Sequence, residues 1–136
     1  MRLLLDTHAL LWSLVKPEKL PPAVRHAIQS AENEAYASVA SAWEISIKVA
    51  IGKLDFDVQV LERGLAASGI QALGITLQHT ARIARLPLHH RDPFDRMLVA
   101  QALTESLTIV TRDRDLAKYG VKLLWREVSP ARSRHA

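Results

Sequence analysis

Asp6, Glu44, Asp95 and Asp113 each stand where the sequence predicts a strand to end or a helix to begin. Carboxylates gathered at one rim repel: at ~4 Å and an effective dielectric of about 20, each like-charged pair costs roughly 4 kcal/mol. Such a cluster calls for a bound cation. Oxygen donors in a chain without cysteine favour Mg²⁺ or Mn²⁺, ions whose usual substrate is a phosphate. The chemistry implied is metal-dependent cleavage of a nucleic acid.

The elements that must position these acids alternate in type. Arg2 to Leu5 reads as a buried strand, and His8 to Val15 as a helix stopped near Lys16-Pro17. Pro21-Pro22 opens a second helix to about Ser30. A strand over Glu34 to Ala37 is followed by a helix from Ser38 to near Gly52. Val58 to Ala67 is expected to be helical, Ala72 to Ile75 a third strand, and Gln78 to Leu86 a helix before Pro87. Asp92-Pro93 starts a helix to about Glu105, Leu107 to Val110 a strand, Asp113 to Lys118 a short helix, and Val121 to Trp125 the last strand. Strands alternating with helices predict a parallel α/β sheet covered on both faces.

In that architecture, sites form beyond the carboxyl ends of the strands. Asp6 and Asp113 follow strands, while Glu44 and Asp95 sit in the first turns of helices that begin at the same edge. Helix N-termini help hold negative charge there. Each acid also has an ordinary structural role. Asp6 and Asp113 suit helix caps, and Asp95 suits a dipole contact. Glu44 follows Ser41 at capping-box spacing and precedes Lys48 by one turn. Asp92, before Pro93, is assigned to the cap and Asp95 to the metal. Coincidence would have to act four times to explain the set.

At 136 residues the chain fits one domain, with a core large enough to need no staples. Its net charge is +4 and its pI about 9.8, a balance that suits a polyanionic partner. The start, MRLLLDTHALLW, carries Asp6 and His8 within eight residues, so neither a signal peptide nor a membrane span is expected there. A cytoplasmic protein is the expectation. No H-E-x-x-H spacing supports a zinc reading of His79, His89 or His90. G-x-S-x-G, Walker A and G-x-G-x-x-G motifs are absent. Trp12, Trp43 and Trp125 are expected to pack rather than stack on bases.

LLLDTHALLW, the Ser-Ala-Trp-Glu-Ile-Ser stretch from Ser41 to Ser46, HHRDPFDRMLVAQAL and IVTRDRDL occur in that order. Together they resemble the PIN-domain ribonucleases, and more narrowly the VapC toxins of prokaryotic toxin–antitoxin pairs. The resemblance implies a three-layer α/β/α PIN-like fold with a central parallel sheet of strand order 3-2-1-4-5. It implies a PIN domain over residues 1–128, leaving 129–136 as a basic, disordered tail. The four family acids fall on Asp6, Glu44, Asp95 and Asp113, with Asp115 an alternative for the last. Asp6 and Asp95 would be the main ligands of Mg²⁺, for which Mn²⁺ can substitute. Thr7 and Thr111 match supporting hydroxyls, and Arg96, Arg112 and Arg114 lie where they could meet RNA phosphates.

The implied partners are an RNA substrate, a VapB-like antitoxin whose carboxyl-terminal segment crosses the toxin's groove, and a second copy of the chain. DNA would be met only through the antitoxin, and no membrane is involved. Ile45, Val49, Leu61 and Leu65 are candidates either for that groove or for the core. Two other classes compete with a nuclease. One is a catalytically silent domain that only binds its antitoxin. The other is a Mg²⁺-dependent receiver or aspartyl phosphatase, which fits badly because His8 stands where the phosphatases place a second Asp.

Overall fold

Leu3, Leu4 and Leu5 are fully buried in the first strand, β1 (Arg2–Leu5), and their alternation divides the molecule into layers. Leu3 and Leu5 enter one apolar cluster, whereas Leu4 enters another on the opposite face. Side chains in a strand point alternately to its two faces, so a strand covered on both sides is an unbroken apolar run. The same division recurs in β2 (Glu34–Ser38), where Ala35 and Ala37 face one way and Tyr36 the other. In β4 (Thr108–Val110), Val110 and Ile109 part in the same manner.

The computed structural model describes residues 1–125; the end of the expected domain at 126–128 and the expected tail at 129–136 lie outside the described residues. With β3 (Ile70–Leu73) and β5 (Leu123–Leu124), the strands form a five-stranded sheet of order β3-β2-β1-β4-β5, every pair parallel. This is the expected order and the expected PIN-like fold. On one face lie α1 (Thr7–Val15), α2 (Pro22–Gln29) and the inner side of α3 (Val39–Ala50), through Leu10, Val24, Ile28 and Ile45. Leu65 of α4 (Leu61–Ala67) packs against the same cluster. The other face is covered by α6 (Pro93–Glu105), whose Leu98, Val99 and Ala102 meet Leu4 and Ile109. α5 (Leu77–Ile83) lies beside α6. Burying each large aliphatic side chain contributes roughly 1.5–3 kcal/mol.

Three local expectations are corrected. The third strand begins two residues earlier than Ala72, because Ile70 supplies its buried residue, and it ends at Leu73, before Gly74. α3 is capped by Ser38, which accepts from Ala40 N–H, so Ser41 is not part of a capping box. The turn after Asp113 is a 3₁₀ segment (Arg114–Tyr119), and Val58–Val60 is another. None of the helices among the described residues is long and apolar enough to cross a membrane.

Candidate functional site

Strand register fixes the rim. Leu5 is level with both Ala37 and Val110, so β1, β2 and β4 end side by side. Asp6 N–H donates to Val110 O at 3.0 Å, which seats Asp6 beside Thr111. The first turn of α1 is fastened by Asp6, whose Oδ1 accepts from Ala9 N–H at 2.8 Å. Asp6 is therefore both cap and member of the acid set. Thr111 is 2% exposed, and its hydroxyl hydrogen-bonds the Asp6 carboxylate while accepting Asp113 N–H at 3.0 Å. One hydroxyl thus ties the first acid to the fourth.

Glu44 approaches from α3. Thr7 donates to its Oε1 at 2.6 Å, and Lys48, one turn on, meets its Oε2 at 3.1 Å. Ser41 Oγ stands 3.1 Å from the same Thr7 hydroxyl. Asp95 lies in the first turn of α6, where Asp92 caps the helix by accepting from Phe94 and Asp95 N–H. The cap is the one expected of Asp92. Asp113 accepts from Asp115 N–H, while Asp115 itself is exposed and pairs with Lys118 at 3.7 Å.

The tightest convergence involves a residue that spacing did not single out as a site member. His90 Nε2 is 3.2 Å from Asp113 Oδ2 and 3.5 Å from Asp95 Oδ2. These three side chains offer atoms that all lie within 4.8 Å of one another, close enough to share an ion. Asp6 and Glu44 join them through their fields. Burial, and then the Asp92 charge, raise the Asp95 carboxyl to about 6 against the pull of His90, with Asp6 and Glu44 adding to the rise. Burial also pushes Asp6 up, opposed by Thr111, Ala9 and His8 and assisted by Glu44. Burial is the larger cause of both rises, and the neighbouring carboxylates add to it beyond what His8 and His90 offset. Hard oxygen donors in that state fit a divalent cation of the Mg²⁺ or Mn²⁺ class.

The arginines divide. Arg112 and Arg114 are exposed beside the rim, and Arg112 lies over the Trp12 ring at 5.7 Å. Arg96 instead donates to Pro87 O at 2.9 Å, Ile83 O at 3.2 Å and Tyr119 Oη at 3.2 Å, bracing the segment before α6. Beside the acids opens a cleft of about 370 Å³, lined by Lys16, Lys19, Lys48 and Lys53 over Leu11, Trp12 and Phe56. Lys19 also lies over Trp12, at 5.8 Å, so the indole gathers two cations. Sequence spacing gave no sign of this basic cleft. The recurrence of lysine at the carboxyl-terminal ends of α1 and α3 (Lys16 and Lys19, Lys48 and Lys53) was the available signal. Ile45 and Leu61 are buried and Val49 and Leu65 pack on the core, so these four belong to the interior rather than to a groove.

Residues 3–122 match the family model of the PIN domain. Among known proteins, the chain is 31% identical over 123 residues to Ribonuclease VapC22 of Mycobacterium tuberculosis (strain ATCC 25618 / H37Rv), covering 85% of this chain and 90% of that one. Its fold is similar to VapBC2 from Rickettsia felis, solved bound to a promoter DNA fragment, with TM-score 0.69, 15% identity and coverage of 93% and 100%. FitAcB from Neisseria gonorrhoeae is similar at TM-score 0.61 and 21% identity, with coverage of 90% and 96%. At such identities the structural likeness is one of fold.

Proposed function

Because the chain belongs to the PIN-domain family, in its VapC branch, we propose that it is a divalent-metal-dependent endoribonuclease, the toxin of a VapBC-type pair. The observation that carries this reading is the delivery of Asp6, Glu44, Asp95 and Asp113 to one rim by four separate segments, two of them within reach of one ion. The reaction is hydrolysis of an RNA phosphodiester bond. Asp6 and Asp95 would hold Mg²⁺, or Mn²⁺ in its place, with Glu44 and Asp113 acting directly or through water. The ion would supply positive charge for the scissile phosphate and acidify a bound water.

The chain's own residues do the rest. Thr7 and Lys48 fix both oxygens of Glu44, leaving it to accept a hydrogen bond from the attacking water. Thr111 keeps Asp6 and Asp113 in fixed relation. Arg112 and Arg114, exposed beside the rim, would meet phosphate oxygens, and the lysine cleft would offer a backbone track toward the acids. Arg96 serves the reading as a brace.

The same reading supplies partners and place. A VapB-like antitoxin would block the site with a segment seated over the apolar cleft at Leu14, Val15, Phe56 and Val60. DNA is then engaged through the antitoxin. A homodimer finds its support in α3 and its C-cap, where Val39, Trp43, Ile47 and Ile51 form an exposed apolar stripe at four-residue intervals. Residues 1–128 would form the domain and the protein would act in the cytoplasm. The test is incubation of the purified protein with RNA in Mg²⁺ or EDTA, followed by sequencing of the new ends. Cleavage in Mg²⁺, lost in EDTA and in Asp95→Asn, is expected. Cleavage by Asp95→Asn at the parental rate would refute the assignment, and no cleavage by the parent would leave a binding-only domain.

A further inference from the structure

His90 stands between two acids on a segment that is built rather than loose. Arg96 donates to the carbonyl of Pro87 at 2.9 Å and approaches that of His90 at 3.5 Å; Tyr119 Oη reaches His90 O at 3.5 Å. The neighbouring His89 ring packs edge-on against Tyr119 at 5.0 Å. The imidazole is thereby aimed at the rim with little freedom.

Its two nitrogens have different partners. Asp92 N–H donates to His90 Nδ1 at 3.3 Å. A backbone N–H can only donate to a lone pair, so Nδ1 carries no proton. The neutral ring then has its hydrogen on Nε2, facing Asp113 Oδ2 at 3.2 Å and Asp95 Oδ2 at 3.5 Å. A histidine that binds a metal does the reverse: it donates its other N–H to an acceptor and turns a bare nitrogen on the ion. Proximity alone would make His90 a third ligand, but its hydrogen bonding does not.

We infer that His90 is a positioning residue: its Nε2–H donates to Asp113 Oδ2 and lies 3.5 Å from Asp95 Oδ2, holding the two carboxylates side by side where the cation would bind. The inference rests on the metal-dependent reading of the site. It assigns to an imidazole the task of holding two carboxylates from different elements, α6 and the turn after β4, in a single geometry. Without the clamp both side chains regain rotamers, and the site has to be ordered by the ion itself. Losing such an outer hydrogen bond typically weakens metal affinity by 10–100-fold.

The test compares His90→Ala with His90→Gln, whose side-chain amide can present an N–H at similar reach. Calorimetric titration with Mg²⁺ and Mn²⁺ is expected to show affinity lowered about 10-fold or more in His90→Ala. In His90→Gln the loss should be roughly 3-fold at most. Nitrogen-15 spectra of the imidazoles in the parent should show Nε2 protonated and Nδ1 bare, both before and after Mg²⁺ is added. Unaltered affinity in His90→Ala would overturn the inference. So would a glutamine variant as weak as the alanine one, or loss of the Nε2 proton on adding Mg²⁺, since these mark a direct nitrogen ligand. A parent that takes up no cation at all would instead sink the metal-dependent reading on which the inference stands.

Discussion

Replacing Asp95 with asparagine separates the cost of gathering negative charge from its use. The carboxyl is raised from 3.8 to about 6 by burial and by the charges of Asp92, Asp6 and Glu44. An acid whose pKa is higher in the folded chain than in the unfolded one stabilises the fold while protonated. That contribution is complete below about pH 4 and lost as pH rises through about 6. A shift of roughly 2 units, at about 1.4 kcal/mol per unit, corresponds to about 3 kcal/mol carried as desolvation and repulsion above pH ~7. The side chain is 28% exposed, and asparagine gives His90 a weaker acceptor, so roughly 1–3 kcal/mol is the expected net gain. In EDTA, Asp95→Asn should match the parent near pH 4 and melt higher near pH 8, by up to about 10 °C for a chain of this size. Saturating Mn²⁺ should raise the parent's midpoint and leave the variant's unchanged. A variant no more stable than the parent at pH 8, or a gap that does not widen from pH 4 to 8, would refute the reasoning.

Other expectations follow from named residues. Trp43→Glu, in the exposed stripe of α3, should convert a dimer into a monomer in sedimentation velocity, while the monomer's melting midpoint stays within a few degrees. His79 is fully buried, accepts Thr76 N–H on Nδ1 and meets Glu105 Oε2 at 2.8 Å. His79→Ala should therefore lose about 2–4 kcal/mol in urea unfolding, with unchanged cation affinity in the folded protein. Lys16→Ala with Lys19→Ala should weaken RNA binding and make the salt dependence shallower, by about 0.7 in log–log slope for each single-strand phosphate that is no longer neutralised. A peptide partner of the cleft would show no such slope.

Most of the fold was legible because this sheet is covered on both faces. Leu3 to Leu5 and Thr108 to Val110 are short apolar runs for which only a buried strand fits, and α1, α3 and α4 stop just before Pro17, Gly52 and Gly69. The edge strand β3 was misplaced by two residues because Gln71 and Ala72 are exposed and only Ile70 is fully buried. Ser41 at capping-box spacing misled because Ser38, at the end of β2, had already opened the helix. The four acids were legible since each sits at a junction that parallel topology sends to one edge. His90 was not, for its meeting with Asp113 spans 23 residues and depends on a loop braced by Arg96 and Tyr119. Spacing along a chain cannot convey such a meeting. The lysine cleft escaped for the same reason, since α1 and α3 contribute its walls separately.

Paramagnetic Mn²⁺ titration, read by the loss of the free-ion resonance, tests the central claim most directly. The parent protein should take up Mn²⁺ at a saturable site that Mg²⁺ competes for. Asp6→Asn, which keeps a helix-capping side chain but removes the charge at the end of β1, should lose that uptake while remaining folded. Equal uptake by parent and variant, or none by the parent, would contradict the account.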